Sequence, residues 1–165
     1  MVTLGTIRDC VRCSARTKSK KRCTRKTCLI EGECWQHSAA STGLRVKNSR
    51  IPGAGKGLFA DRDIPSNRRI ALYAKRSRYM PGPIDSTQSE DRRPYLWCQA
   101  GNPRRCWDAR STQSTLARWS NACDKPGRND VCNAVMRPTG WLVSTRRIQK
   151  GEEILFPYGD EYWET

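Results

Sequence analysis

Residues 145–163 read TRRIQKGEEILFPYGDEYW, and this stretch has the most distinctive pattern of the chain. Its centre, Ile154-Leu155-Phe156, is a short apolar run that predicts a strand. Glu152 and Glu153 directly follow Gly151, and we interpret the two acids as part of a solvated turn. The stretch therefore predicts a turn that leads into a short strand and then into an aromatic, acidic end.

Residues 48–64 read NSRIPGAGKGLFADRDI, with glycines at the alternate positions 53, 55 and 57. The stretch lacks the G-x-G-x-x-G spacing of dinucleotide folds, and it lacks a P-loop because Lys56 is followed by Gly57 rather than Ser or Thr. Apolar residues at Val46 and at positions 57–60 predict two strands around a tight loop. A ligand can approach the backbone of such a loop closely because the glycines have no side chains.

The remaining patterns are short. Residues 115–119 predict a brief helix, and the polar residues 75–94, with three prolines, predict an irregular surface insert. Further strand candidates are Arg69–Tyr73, Tyr95–Trp97, Cys106–Ala109 and Trp141–Thr145. Many short strands with little helix predict a mainly β fold.

Three separated segments resemble the SET domain of protein-lysine methyltransferases. Residues 48–64 resemble its opening loop, residues 117–124 (ARWSNACD) its R-F-x-N-H-S-C-x-P-N element, and residues 145–163 its closing R-x-I-x-x-G-E-E-L-x-x-x-Y-G motif. The resemblance covers residues 46–163, about 70% of the chain. It implies a β fold of short strands with a C-terminal pseudoknot, and binding of S-adenosylmethionine.

The resemblance also implies roles for particular residues. Tyr158 would be the active-site tyrosine, and Phe156 would occupy the position that limits the number of methyl groups transferred. The two side chains share one face of an extended segment because they are two residues apart. The implied cofactor-binding residues are Gly55, Lys56, Gly57, Leu58, Tyr95, Asn121, Ala122, Tyr158 and Trp163.

The sequence departs from the family pattern at several points. Ala122 stands where the family has histidine, and the motif is one residue shorter before Cys123. No tyrosine follows the strand at residues 107–112, where relatives have a second pocket tyrosine. No C-x-C-x4-C follows the closing motif, so we expect Tyr162 and Trp163 to cover the cofactor or substrate channel in place of a zinc-bound lid.

Six candidate metal ligands lie within residues 10–37, with the spacing C-x2-C-x9-C-x4-C-x5-C-x2-H. Zinc takes four tetrahedral N or S ligands, so six are too many for one site. The segment resembles small zinc modules with a C…KRC…CWQH signature, which favours Cys13, Cys23, Cys34 and His37 and leaves Cys10 and Cys28 as alternatives. The opposing interpretation is free thiols in a disordered basic tail.

Apolar residues are scarce before Val46, and residues 38–43 (SAASTG) read as a linker. We therefore divide the chain into a basic zinc module with its linker, residues 1–43, and a SET domain without a post-SET segment, residues 44–165.

The net charge is +15, and it is unevenly distributed. Residues 12–26 hold eight Lys or Arg and no acid, whereas residues 152–165 hold five acids and no base. The basic segment predicts contact with nucleic-acid phosphates, or a nuclear targeting signal. The acidic end predicts a basic substrate.

No apolar leader and no run of roughly 20 apolar residues is visible, so we expect neither secretion nor membrane insertion. A disulfide scaffold is then not expected among the nine cysteines, and the chain is predicted to be nuclear or cytoplasmic.

These patterns favour an S-adenosylmethionine-dependent protein-lysine N-methyltransferase, with a histone tail as substrate and a di- or trimethylated product. Two alternatives stay open. One is an inactive SET-type module that binds chromatin or DNA, favoured by Ala122 and the missing second tyrosine. The other is a methyltransferase of a non-histone protein.

Overall fold

The computed structural model describes residues 11–27, 32–34, 36–73, 79–80, 96–99, 102–109, 115–127 and 130–163. Within these ranges the predicted mainly β architecture is confirmed, and no helix is both long and apolar enough to cross a bilayer. The elements in chain order are β1 (Val11–Arg12), β2 (Lys26–Thr27), α1 (Ser38–Thr42), β3 (Leu44–Asn48), β4 (Lys56–Ala60), β5 (Arg69–Leu72), β6 (Tyr79–Met80), β7 (Leu96–Gln99), β8 (Asn102–Asp108), a 3-10 helix (Leu116–Trp119), β9 (Asn121–Ala122), β10 (Ala134–Met136), β11 (Trp141–Ser144), β12 (Leu155–Phe156) and α2 (Asp160–Trp163).

Strands β3 and β4 form the hairpin that the glycine-rich stretch predicts. They pair antiparallel from Leu44 opposite Ala60 to Asn48 opposite Lys56. The loop between them is closed by a hydrogen bond from the Ser49 N–H to the Gly55 carbonyl, 2.9 Å. The loop is thus fixed at its base by a regular strand pair.

Two three-stranded antiparallel sheets complete the body of the domain. One has the strand order β10-β11-β5 and the other β6-β8-β7, so the strands predicted at residues 69–73, 95–97, 106–109 and 141–145 are present with shifted ends. The brief helix predicted at residues 115–119 is the 3-10 helix. Most of the predicted insert at residues 75–94 lies outside the described residues, and so does Tyr95.

The closing segment, residues 151–156, is bonded along both of its edges. The Gly151 N–H donates to the Ala60 carbonyl and the Ile154 N–H to the Leu58 carbonyl, so the first half of the segment lies beside β4. Its second half, β12, pairs parallel with β9 and accepts a hydrogen bond from the Cys123 N–H at the Phe156 carbonyl, 3.3 Å. This segment therefore joins the glycine-loop hairpin to the element around residue 121.

Asn133 satisfies the other edge of β12. Its backbone N–H donates to the Leu155 carbonyl, 3.1 Å, and its side-chain Oδ1 accepts from the Leu155 N–H, 2.9 Å. Its Nδ2 donates to the Glu153 carbonyl, 2.7 Å, and the residue is only 2% exposed. One buried amide thus takes the place of a neighbouring strand, because buried backbone groups need partners.

The main core lies between the hairpin, the sheets and the closing segment. Its large, fully buried aliphatic side chains are Leu58, Leu116, Leu142, Ile148 and Ile154. Three of the module cysteines form a separate small cluster.

Residues 38–43, which we interpreted as a linker, form a short helix and its C-terminal cap. Ser38–Thr42 form α1, and Gly43 ends the helix with a left-handed φ of 71°. Ser38 is fully buried, and the Asp61 N–H donates to the Gly43 carbonyl, 2.8 Å. Small residues here permit close packing against the hairpin.

Cys123 and Cys132 form a disulfide in the structure, with 5.2 Å between their Cα atoms. The bond closes the loop between β9 and β10 and packs with Ile51 and Leu155 in a small apolar cluster. The sequence analysis did not expect a disulfide scaffold, and it did not anticipate this pair. Spacing alone did not reveal that the closing segment would bring the two ends of this loop together.

Candidate functional site

A cleft of about 480 Å³ opens beside the glycine-rich loop. Its size falls within the range of small-molecule sites. It is lined by Ile51, Pro52, Gly53, Ala54, Gly55, Lys56, Arg118, Trp119, Asn121, Ala122, Lys125, Tyr158, Tyr162 and Trp163. Three segments that are distant in sequence therefore meet around one cavity, and six of the nine implied cofactor-binding residues line it.

The loop itself requires glycine for two different reasons. Gly53 and Gly55 have φ of 78° and 69°, a left-handed conformation that other residues adopt at a cost. Gly57 is crowded instead, because a Cβ on it would lie 2.2 Å from Oε1 of Glu153. Gly57 and the fully buried Leu58 lie behind the cleft rather than in its lining.

Glu153 is the residue that holds the cleft wall together, and sequence reasoning missed it. Its side chain is 6% exposed and accepts hydrogen bonds from Ser49 Oγ, 2.6 Å, and from the Arg50 N–H, 2.8 Å. It also accepts from Nδ2 of Asn121, 3.1 Å, and that amide donates in addition to the Lys56 carbonyl, 2.9 Å. The interpretation of Glu153 as part of a solvated turn is wrong.

Glu152 does fit the predicted solvated turn. Its carboxylate pairs with Arg146 at 3.0 Å on the surface. Partial burial raises the pKa of Glu152, but hydrogen bonds from Arg146 and from the Gln149 N–H outweigh that effect and lower it overall. The two adjacent acids differ because an extended segment directs successive side chains to opposite sides.

Tyr158 lies at the edge of the cleft, half-buried. Its hydroxyl donates to the Ser120 carbonyl, 2.9 Å, which fixes the position of the oxygen. The Phe156 ring lies 5.0 Å from the Tyr158 ring, between centroids, so the predicted sharing of one face is observed. Phe156 itself is 2% exposed and lies behind the cleft.

A second tyrosine contacts Phe156 from a strand other than the one at residues 107–112. Tyr73, at the end of β5, is buried, and its ring meets Phe156 edge-on at 6.3 Å. The sequence analysis looked for a second tyrosine after residues 107–112 and found none. Tyr73 could have been considered from its place at the end of a predicted strand, but no periodicity links it to Phe156.

The cleft lining carries a positive charge. Lys56 and Lys125 line it, and so does the 8% exposed Arg118, whose guanidinium lies 4.6 Å over the Trp119 ring. An anionic ligand group would be favoured there. Ala122 also lines the cleft and pairs with Phe156 in the β9–β12 ladder. The backbone is therefore present at this position, but the histidine side chain of the family pattern is missing.

The N-terminal module brings together the four ligands that its signature favours. The ligand atoms of Cys13, Cys23, Cys34 and His37 all lie within 4.8 Å of one another. Nδ1 of His37 lies 3.5 Å from Sγ of Cys13 and 3.3 Å from Sγ of Cys34. A tetrahedral zinc with ordinary bond lengths separates N and S ligands by about 3.6 Å, so these residues fit the ion. Cys10 and Cys28 lie outside the described residues.

The chain is similar to a known sequence family and to solved structures. The sequence model of the SET domain matches residues 55–159. No curated protein matches the sequence. Among solved structures, a humanized mutant of the Chaetomium thermophilum Polycomb Repressive Complex 2 bound to the inhibitor GSK126 is similar over 71% of this chain, with 22% identity and a TM-score of 0.48. The structure of ctPRC2 in an autoinhibited conformation bound to S-adenosylmethionine is similar over 72% of this chain, with 19% identity and a TM-score of 0.47. The matches cover 15% of each of those chains.

The fold and the cleft define a mainly β domain with a cavity beside a glycine-rich hairpin. Since the family match spans well over half of the sequence, the chain belongs to the SET domain family.

We predict one zinc ion per chain, bound by Cys13, Cys23, Cys34 and His37. Elemental analysis of protein purified without added metal measures it. Cys34→Ser should lose the ion and loosen the module, because structural zinc supplies most of the folding energy of such small units. Cys132→Ser, outside the ligand set, should retain the ion, and a zinc content near zero in the unmodified chain would remove the site.

We predict that Glu153→Gln lowers the free energy of unfolding by about 2 kcal/mol, since a buried network loses a charged acceptor and gains an NH₂ that faces other donors. The matched change Glu152→Gln should cost about 0.5 kcal/mol, as surface ion pairs do. Urea denaturation measures both. Equal losses in the two variants would show that Glu153 has no special structural role.

Proposed function

We propose that this chain is an S-adenosylmethionine-dependent protein-lysine N-methyltransferase. The observation that carries the proposal is the single cleft that collects the glycine loop, Asn121 and Tyr158, with Phe156 directly behind it. Family membership supports the same activity. The cleft residues fit the cofactor, because backbone groups at Gly55 can approach it and the positive lining complements its carboxylate.

The cofactor supplies a methyl group on a positively charged sulfur. A neutral lysine amine would take this methyl group with the sulfur as leaving group, and the proton released from the product nitrogen would go to water. The amine must first be neutral, although its free pKa is about 10.4. Apolar surroundings such as the Phe156 ring lower that pKa because they disfavour the ammonium form.

Tyr158 positions the reacting groups. Its hydroxyl is held by the Ser120 carbonyl and its ring by Phe156, so the oxygen is fixed before any ligand binds. Such preorganisation contributes to rate because the reacting atoms need little further ordering. No general base is required of the chain.

The substrate that we propose is a basic protein segment such as a histone tail. Asp160, directly after the cleft tyrosine and its glycine, is exposed at the acidic end of the chain. Acidic residues near the site would attract a basic peptide. The proposed location is accordingly the nucleus.

Incubation of the pure protein with radiolabelled S-adenosylmethionine and core histones tests the proposal. Label on histone lysine supports it. Cofactor binding without transfer to any protein would favour the alternative of an inactive SET-type binding module. Transfer only to non-histone proteins of an extract would correct the substrate but keep the chemistry.

We predict that Tyr158→Phe lowers kcat at least about a hundredfold, since an oriented hydroxyl at a reaction centre typically contributes a factor of this size. Cofactor affinity should be largely kept, because the ring remains in place. Steady-state kinetics and calorimetry separate the two effects. Full activity of Tyr158→Phe would remove this residue from the site.

We predict a di- or trimethylated product, with Phe156→Tyr shifting it to monomethyl-lysine. A tyrosine hydroxyl there would hold an ordered water or the amine, and a second methyl group would have to displace that water without replacing its hydrogen bonds. Mass spectrometry of a peptide at long reaction times measures the product. The same substitution at Phe59, the other phenylalanine of the chain, controls for the added hydroxyl. Only monomethyl product from the unmodified chain would contradict the assignment.

A second proposal concerns the module, whose hairpin favours binding of nucleic-acid phosphates. The guanidinium groups of Arg12 and Arg22 are used internally: Arg12 donates to the Cys23 and Arg22 carbonyls, and Arg22 donates to the Cys13 and Arg12 carbonyls. These two arginines therefore brace the strands around the ligands. The basic side chains exposed at the hairpin turn and on the strand that follows are Lys18, Lys20, Lys21, Arg25 and Lys26.

We predict that Lys18→Ala/Lys20→Ala weakens DNA binding and lowers the slope of log K against log salt by about 2, since each phosphate contact contributes about 0.9. Fluorescence anisotropy at several salt concentrations measures the slope. Arg137→Ala/Lys150→Ala removes the same charge from exposed positions of the main domain and should leave the slope unchanged. Equal slopes in both double variants would show that the hairpin is not the contact surface.

A further inference from the structure

Asp124 connects the β9 element to the C-terminal aromatic segment. Its Oδ2 accepts a hydrogen bond from the Gly159 N–H, 2.7 Å, and its Oδ1 accepts one from Nε1–H of Trp163, 3.3 Å. Each carboxylate oxygen thus binds a different donor on the segment that follows Tyr158. Neither the cleft lining nor the implied cofactor set includes Asp124.

The segment that Asp124 holds is too short to be stable alone. Helix α2 has four residues, and isolated helices of this length do not form in water. Two of its rings pack with that of Tyr158. The Tyr162 ring lies edge-on to the rings of Tyr158 and Trp163, with 4.7 Å and 4.8 Å between centroids. The Trp163 ring lies nearly parallel to that of Tyr158, 15° apart at 6.2 Å. The position of α2 therefore depends on tertiary contacts.

The backbone at Gly159 explains why an anchor is needed there. Its φ of 91° turns the chain from the extended stretch after β12 into α2. Asp124 receives the N–H of that same glycine, so the turn and the indole are fixed by one side chain. The anchor itself is firmly placed, because the preceding Cys123 is hydrogen-bonded to Phe156 and joined to Cys132.

Trp163 and Tyr162 both line the cleft, so their placement determines its shape on that side. We infer that Asp124 is a positioning residue for cofactor binding: it holds the Trp163 indole against the cleft and so keeps one wall of the pocket formed. This inference rests on the proposed function, since it assigns the cleft to the cofactor. A carboxylate suits the task because both oxygens accept, whereas an amide has one accepting oxygen only.

The test compares Asp124→Asn with the unmodified chain by calorimetry with S-adenosylhomocysteine, the demethylated cofactor. We expect the dissociation constant to rise about tenfold, since one acceptor for a wall-forming donor is lost. The KM for the cofactor should rise in parallel, while kcat at saturating cofactor changes little because the Tyr158–Ser120 contact is untouched. A role confined to folding would not separate these two constants.

Asp63→Asn is the charge-matched control, since Asp63 is exposed and pairs with Arg147 on the surface. Trp163→Phe keeps a ring but removes the indole N–H, so combining it with Asp124→Asn should cost less than the sum of the single changes. Thermal unfolding of each variant confirms that it is folded before its affinity is compared.

The outcomes separate this inference from the function on which it rests. If the unmodified chain binds no S-adenosylhomocysteine, the proposed function fails and the role of Asp124 falls with it. If the unmodified chain binds but Asp124→Asn binds equally well, or loses no more affinity than Asp63→Asn, only the positioning role is overturned. Strict additivity with Trp163→Phe would also overturn it.

Discussion

Backbone hydrogen bonds along residues 151–156 join the glycine-loop hairpin to the β9 and β10 region of the chain. Gly151 and Ile154 bond to the second strand of the hairpin, whereas Phe156 bonds to Cys123 and Leu155 to Asn133. Buried N–H and C=O groups without partners are costly, so this short segment is stable only where both edges are matched. Two of its neighbours, the hairpin and β9, contribute residues to the cleft lining.

The site follows from this crossing. Glu153 lies at the point where the closing segment passes the hairpin, opposite Phe59, and its carboxylate reaches Ser49, Arg50 and Asn121 from there. The same crossing explains the crowded Gly57, which leaves space for that carboxylate. A cleft lined by three segments that are distant in sequence is thus formed by the contact that also completes the core.

Local sequence was sufficient for features that depend on local chemistry. The glycine loop between strands and the strand at residues 141–144 are visible in the local pattern, because turns and strands impose fixed intervals. Spacing gave six candidate ligands for the module, and its resemblance to small zinc modules favoured the four that the structure brings together. The residues that escaped prediction depend on distant partners. In the sequence Glu153 looks like its neighbour Glu152, and only the fold brings Ser49 beside it. In the same way, nothing in the sequence around Cys123 indicates that it pairs with Cys132. We interpreted Ser38 and Ala39 as part of a linker because six small residues in a row show no apolar periodicity, although these two side chains are buried.

The distribution of charge in the cleft limits how the proposed cofactor and the lysine substrate could both bind to the domain. The cleft is lined by Lys56, Arg118 and Lys125, which favour the carboxylate of a cofactor and disfavour entry of a lysine side chain along the same path. On the side of Phe156 and Tyr73 the described rings are buried and uncharged, so that side offers the apolar surroundings that favour a neutral amine. Tyr158 contacts both regions, with its edge in the cleft and its ring on Phe156. This arrangement places the Tyr158 hydroxyl, held by the Ser120 carbonyl, between a positive and an apolar environment, which suits the proposed transfer of a methyl group from a sulfonium to a neutral amine.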